Sequence, residues 1–375
     1  MYFSSLLSLV LLTAPLTTAR TLHARADTRD LYKAYAGSSK TYPGITHMGA
    51  SIEGVSVSSS GEVYAVNQTH LMNLNTGTAL HTASKSDTKA YFASSRVLRS
   101  GEILLGDAGN KKVLKISKDG KVSADPFVAN GKWLQPNDMT LSADEKHLYL
   151  SGMNWGENLG DAWYAGISDP KKPSHQQIPT KNAGLYRTNG IELDANEWKL
   201  YITSAQNSES KNTIATKVYS IFLNPETMKP ADGETWNLEL DFHAVDGLEK
   251  QKLLAADMDL DGMRIDIMGN MFSTLNAYNR VVRWNVNDKT DTTVIKLATV
   301  ERPTNLEFGG KDGTTLVVVG KCKKNNPDAS EEVEKTRACV DEIPVEFPGR
   351  AFYALKHGAK PNEKCKAGKR RARMV

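Results

Sequence analysis

Cysteine is scarce in this chain, three among 375 residues, which excludes a fold stapled by a dense disulfide framework. The eight histidines show none of the spacings that build a zinc site. No apolar run approaches the ~18 residues of a membrane-spanning helix, so no span is expected. Surplus charge is also small, a formal +4, and part of it sits in a basic C-terminal tail, residues 359–375, ending "KCKAGKRRARMV". With no basic face elsewhere, nucleic acid is not an expected partner. What is present, 40% hydrophobic and 24% charged residues, suits a folded globular chain rather than a disordered one.

The N-terminus "MYFSSLLSLVLLTAPLTTA" has a short apolar core from Leu6 to Leu12, then small residues ending at Ala19. That is the build of a secretory signal over residues 1–19, cleaved near Ala19 or Ala26, although no basic residue precedes the core. Secretion makes "NQT" at Asn67 a usable glycosylation acceptor and permits disulfides. Cys322 and Cys339 flank the polar stretch "KKNNPDASEEVEKTRA" and are the expected pair, leaving Cys365 odd in the tail. Three free thiols are the alternative.

Between these ends one pattern recurs six times. It reads "EGVSVSSSGEVYAVN" from Glu53, "ASSRVLRSGEILLGD" from Ala93 and "NDMTLSADEKHLYLS" from Asn137. It returns as "NGIELDANEWKLYIT" from Asn189, "DGMRIDIMGNMFSTL" from Asp261 and "NLEFGGKDGTTLVVVG" from Asn305. Each copy is an alternating run, a turn rich in Gly, Asp, Asn or Ser, and a second apolar run, which is a β-hairpin. The copies start 40, 44, 52, 72 and 44 residues apart. A period in the forties with several strands per unit predicts an all-β, six-bladed β-propeller, one domain over residues 27–358. The segment "YKAYAGSSKTYPG" before Glu53 is expected to add a strand to the last blade and close the ring. "GRAFYALKH" (Gly349–His357) reads as one more strand. The 72-residue step implies a surface loop around "NPETMKPADGETWNLELDFHAVDGLEKQ".

In a propeller, equivalent positions of the innermost strands point at a common axis. The first positions of the six copies are Glu53, Ala93, Asn137, Asn189, Asp261 and Asn305, five of them bearing side-chain oxygen and none basic. Two carboxylates with amide carbonyls suit a hard divalent cation, Ca²⁺ before Zn²⁺. Asn and Asp are also ordinary turn residues at blade corners, and any one of them alone reads that way.

At these residues the chain resembles the gluconolactonase/regucalcin family of six-bladed propellers. The motifs are Ile52-Glu53-Gly54, Pro136-Asn137-Asp138, Thr188-Asn189-Gly190 and Asp261-Gly262-Met263. The resemblance implies that Glu53, Asn189 and Asp261 hold calcium, that Asn137 binds substrate beside it, and that Asp261 doubles as general base. Asn305 joins Gln135 and Asn137 as a substrate-facing residue. Two departures count. Gln135 stands where sugar-lactonase members carry an arginine, removing a charged fork for a polyhydroxylated or anionic substrate. The stretch "GMNWGENLGDAWYAGISDP" brings Trp155, Trp163 and Tyr164 together in what reads as a loop at the channel mouth, a wall suited to flat or greasy ligands. Packing against a neighbouring blade is the alternative for each ring.

Three functions follow from this reading. The general layout resembles secreted fungal hetero-Diels–Alderases, which join a tropolone quinone methide to a terpene alkene. The missing arginine and the aromatic stretch place this reading first. The family-typical Ca²⁺-dependent lactonase or esterase is the alternative, and a non-catalytic binding propeller comes last. The expected partner in the first two is a small-molecule substrate.

Overall fold

The computed structural model describes residues 38–169, 171–180, 183–242, 259–276, 278–323, 337–358 and 360. The alternating runs form six four-stranded antiparallel sheets, arranged as a single-domain six-bladed β-propeller. The innermost strands are β2 (Glu53–Val57), β6 (Phe92–Val97), β10 (Asp138–Leu141), β14 (Arg187–Leu193), β18 (Asp259–Ile265) and β22 (Val300–Gly309). Each touches the innermost strands of both neighbouring blades, so the six complete a ring. These strands are buried almost throughout, whereas an outermost strand such as β5 (Thr78–Thr82) is largely exposed.

The apolar face of each sheet packs on the next blade. Leu104, Trp133 and Leu148 belong to one such core between the second and third blades, and Tyr149, Ile191 and Ile202 to one between the third and fourth. The molecule therefore has several inter-blade cores in place of one centre, and the axis is left free for polar side chains.

Closure follows the expected route. Strand β1 (Ser38–Ser39) pairs with β24 (Ala338–Pro344) and makes the outermost strand of the sixth blade, Ser38 opposite Glu342. The Lys40 amide continues the ladder onto the Val340 carbonyl at 3.0 Å, and the buried Tyr42 donates its hydroxyl to Glu342 at 2.7 Å. Cys322 and Cys339 form the expected disulfide, with Cα atoms 5.0 Å apart, between the second and third strands of this blade.

Two expectations are corrected. Gly349–His357 is no strand: Arg350–His357 is a helix, α1, that buries Arg350, Phe352 and Ala354. It contains no β-branched residue, and Gly358 ends it in the left-handed conformation (φ 64°) that glycine adopts without strain. The expected surface loop after Asn224 is interrupted by a strand, because Asn237–Asp241 within it pairs as β17 with β16 (Thr213–Phe222), while its residues 243–251 lie outside the described residues. Asn67 ends β3 (Val63–Asn67), where its amide nitrogen donates to the carbonyls of His47 and Met48 at 3.3 and 2.9 Å. The acceptor nitrogen of the sequon is thus engaged in the folded protein. The signal-like segment, Cys365 and nearly all of the basic tail lie outside the described residues. Among the described residues, no helix is long and apolar enough to cross a membrane.

Candidate active site

Inner strands begin at one end of the axis, and several carry a register slip close to that beginning. In β2 the slip lies between Glu53 and Ser56, in β14 between Thr188 and Ile191, and in β18 between Leu260 and Met263. A bulge gives one strand an extra residue and re-aims its side chain, which is how Glu53, Asn189 and Asp261 turn from the blade towards the axis. A glycine follows each of them. At Gly54 (φ 51°) an added Cβ would lie 2.6 Å from the Ser94 Cα, and at Gly262 it would lie 2.8 Å from the Asn305 Cα. Neighbouring inner strands approach too closely there for any side chain.

The converging residues form one hydrogen-bonded set. Asn137 Nδ2 donates to Asn189 Oδ1 at 2.7 Å, and Asn189 Nδ2 donates to Asp261 Oδ1 at 2.6 Å. Asn276 Nδ2 reaches Asp261 Oδ2 at 2.9 Å. Across the axis Asn305 Nδ2 donates to Glu53 Oε1 at 3.2 Å. Glu53, Asn137, Asn189 and Asp261 border a cavity of about 660 Å³ that opens at this end of the propeller, with Gln135 and Trp155 also in its lining.

Electrostatics mark the set as more than turn residues. Burial pushes the Asp261 carboxyl up to about 7, assisted by the charge of Asp259, against the stabilising hydrogen bonds of Asn276 and Asn189. Glu53 is raised as well, by burial first and by Asp261 next. None of the leading contributions to either comes from a basic group. Among the described residues no three His, Cys, Asp or Glu side chains gather as metal ligands, and this set reaches three donors only through the Asn189 amide. Two under-neutralised carboxylates and an amide oxygen, all hard donors, fit Ca²⁺.

Beneath this set the axis is filled by ions. Asp138, next to Asn137, takes a forked pair of bonds from Arg264 at 2.9 and 3.1 Å. Arg264 also reaches Glu307 at 3.1 Å and Asn305 Oδ1 at 3.3 Å. Arg350 of α1 enters from the opposite end and bonds Glu192 at 2.7 Å and Glu197 at 3.0 Å. Burial favours the neutral acids, but Arg264 and Arg96 hold Asp138 below the usual carboxylate range, and Arg350 with Arg264 does the same for Glu192. Because Asn305 Oδ1 is taken by Arg264 and by the Leu306 amide, its nitrogen must face Glu53. Asn305 is therefore a support behind Glu53, outside the cavity lining, and not the substrate-facing residue expected.

The aromatic stretch is also corrected in part. Trp163 and Tyr164 lie in β12 (Leu159–Gly166) and face opposite sides of the third blade. Trp163 packs towards the second blade and donates its indole N–H to Asp161 at 2.7 Å; Tyr164 packs towards the fourth. Neither lines the cavity. Trp155 does, 48% exposed, with the Arg187 guanidinium 3.6 Å from its ring centroid. Sequence reasoning missed Tyr91, Lys211, Asp259, Asn276 and Arg302, which complete the cavity from four different blades and connections. Only Asp259 carried a signal, two residues before Asp261 on the same face of β18.

A search of the curated proteins finds no match to the sequence. Among solved structures, regucalcin from Agrobacterium tumefaciens, described as a calcium-binding protein, superposes with a TM-score of 0.59 at 15% identity, covering 84% of this chain and 96% of its own. A luciferin-regenerating enzyme gives 0.58 at 13% identity, covering 81% and 96%. A gluconolactonase from Xanthomonas campestris gives 0.56 at 12% identity, covering 80% and 89%. At these identities the likeness is one of fold. The family described as SMP-30/gluconolactonase/LRE-like region matches residues 53–320, from the first axial carboxylate to the sixth blade, and the chain belongs to that family.

Proposed function

We propose that the protein is a divalent-cation-dependent hydrolase of lactones or esters. The observation that carries this reading is the pair Glu53 and Asp261, two carboxylates raised by burial at the base of an open cavity, with the Asn189 amide between neighbouring blades. Glu53, Asn189 and Asp261 would hold Ca²⁺, which when bound supplies Lewis-acid polarisation of a substrate carbonyl. Asp261 is fixed by Asn276 and accepts the proton of the attacking water, a role suited to a carboxylate whose affinity for protons has been raised. Asn137 and Gln135 face the cavity and orient the substrate through their amides. Asn305 holds Glu53 in place.

The cycloaddition reading rested on the missing arginine at Gln135, the secretory signal and an aromatic wall of three rings. Two of them are spent inside the third blade, which leaves Trp155 alone and shifts the balance to hydrolysis. Secretion is part of the same proposal: it rests on the N-terminal segment, and the disulfide suits an oxidising compartment. The direct test is turnover of a lactone and aryl-ester panel with and without Ca²⁺. Metal-dependent hydrolysis that disappears in Asp261→Ala, in a variant that still folds, supports the reading. A panel untouched at saturating Ca²⁺ would refute it.

A further inference from the structure

The lining of the cavity contains three carboxylates, Glu53, Asp259 and Asp261, and two cations, Lys211 and Arg302. These charges are not equally committed. Asp259 is neutralised by Arg187 at 2.7 Å, and Arg187 is fixed in turn by Asn207 and Thr213 and covered by Trp155. Glu53 and Asp261 together match one divalent cation. Lys211 and Arg302 are exposed and, among the described residues, make no side-chain hydrogen bond or ion pair. With the cation in place, the described residues leave the cavity with two uncompensated positive charges.

Their positions are built rather than incidental. Lys211 sits in the tight turn between β15 (Lys199–Asn207) and β16, in the left-handed conformation (φ 64°) that glycine would adopt more cheaply. Thr213, two residues on, also lines the cavity and accepts from Arg187, so Lys211 belongs to the wall that Trp155 forms. Arg302 is on β22, beside the register slips that aim Asn305. Lysine and arginine thus enter from the fourth and sixth blades, and the arginine absent at Gln135 has cationic counterparts elsewhere in the cavity.

We propose that the substrate carries an anionic group besides its scissile carbonyl, held by Lys211 and Arg302, with a flat face lying on Trp155. This rests on the hydrolase reading for the identity of the carbonyl but not for the anion. A charged group in a cleft walled by low-dielectric protein is attracted more strongly than in open water, and salt weakens that attraction.

Binding tests it without turnover. Two ketones that cannot be hydrolysed, 4-acetylbenzoate and neutral 4-acetylbenzamide, are titrated into the full chain in excess Ca²⁺ by calorimetry. The expected result is at least tenfold tighter binding of the benzoate, a preference that shrinks with added salt. It should fall to under threefold in Lys211→Gln/Arg302→Gln, whose fold is checked by circular dichroism. Equal affinities, a preference unchanged in the double variant, or no binding of either probe would overturn the proposal. Binding as expected without any lactone or ester turnover would sink the hydrolase reading and leave this one standing.

Discussion

At the scale of single residues, the properties of the site come from what each side chain lacks. Burial denies Asp261 the water that would solvate its charge and Asp259 adds repulsion, so even with two amide donors its carboxyl is pushed up to about 7 from an ordinary value near 4. A cation needs the carboxylate, and below about pH 7 a proton occupies it. Ca²⁺ affinity should therefore rise with pH between 6 and 8, by up to about tenfold per unit on the acid side, and binding should release protons. Calorimetry in two buffers of different ionisation enthalpy checks both; a flat affinity across this range contradicts the assignment. The axial residues were legible in the sequence because repetition aligns them: Glu53, Asn189 and Asp261 occupy one position of a recurring unit. Lys211, Arg302 and Tyr91 occupy no such position. They meet only because separate blades end around the same mouth, and one sequence holds no trace of that.

At the scale of elements, a strand has two faces, and the error over Trp163 and Tyr164 lies there. Their alternation is a strand's alternation, but the glycines and asparagine before them give the stretch the composition of a loop. Trp163→Ala should cost about 3–5 kcal/mol in chemical denaturation, the range for deleting a large buried ring. Trp155→Ala should cost under about 1 kcal/mol, since it loses little beyond a partly exposed cation–π contact, while weakening ligand binding. Equal costs for both would contradict their placement. Helix α1 was read as a strand because eight residues with two aromatics fit either period. Its energetic role is concentrated in Arg350. Replacing it with Leu should cost about 3–5 kcal/mol, because Glu192 and Glu197 would stay buried without their main counter-charge. Adding Glu192→Leu should recover part of that loss in the same urea titration.

At the scale of the whole molecule, the ring depends on the strand β1 that closes it. Removing the residues up to Tyr42 exposes the backbone edge of β24 and deletes a buried tyrosine, on the order of 3 kcal/mol for the ring alone. The shortened chain should melt lower and, with an open sheet edge, self-associate, which sedimentation velocity would show. A monomer with unchanged melting would mean that closure contributes nothing. The ionic plug has a different bearing. Arg96, Arg264 and Arg350, locked to Asp138, Glu192, Glu197 and Glu307, fill the axis below the site, so among the described residues the propeller is a cup and not a tube. Traffic then runs both ways through a single doorway. Hydrolysis of an ester mints a fresh carboxylate at the bottom of that cup, and the product has to depart past the same lysine and arginine that welcomed its parent. Under the proposed chemistry product departure is expected to slow each cycle, with accumulating product competing with substrate for the door.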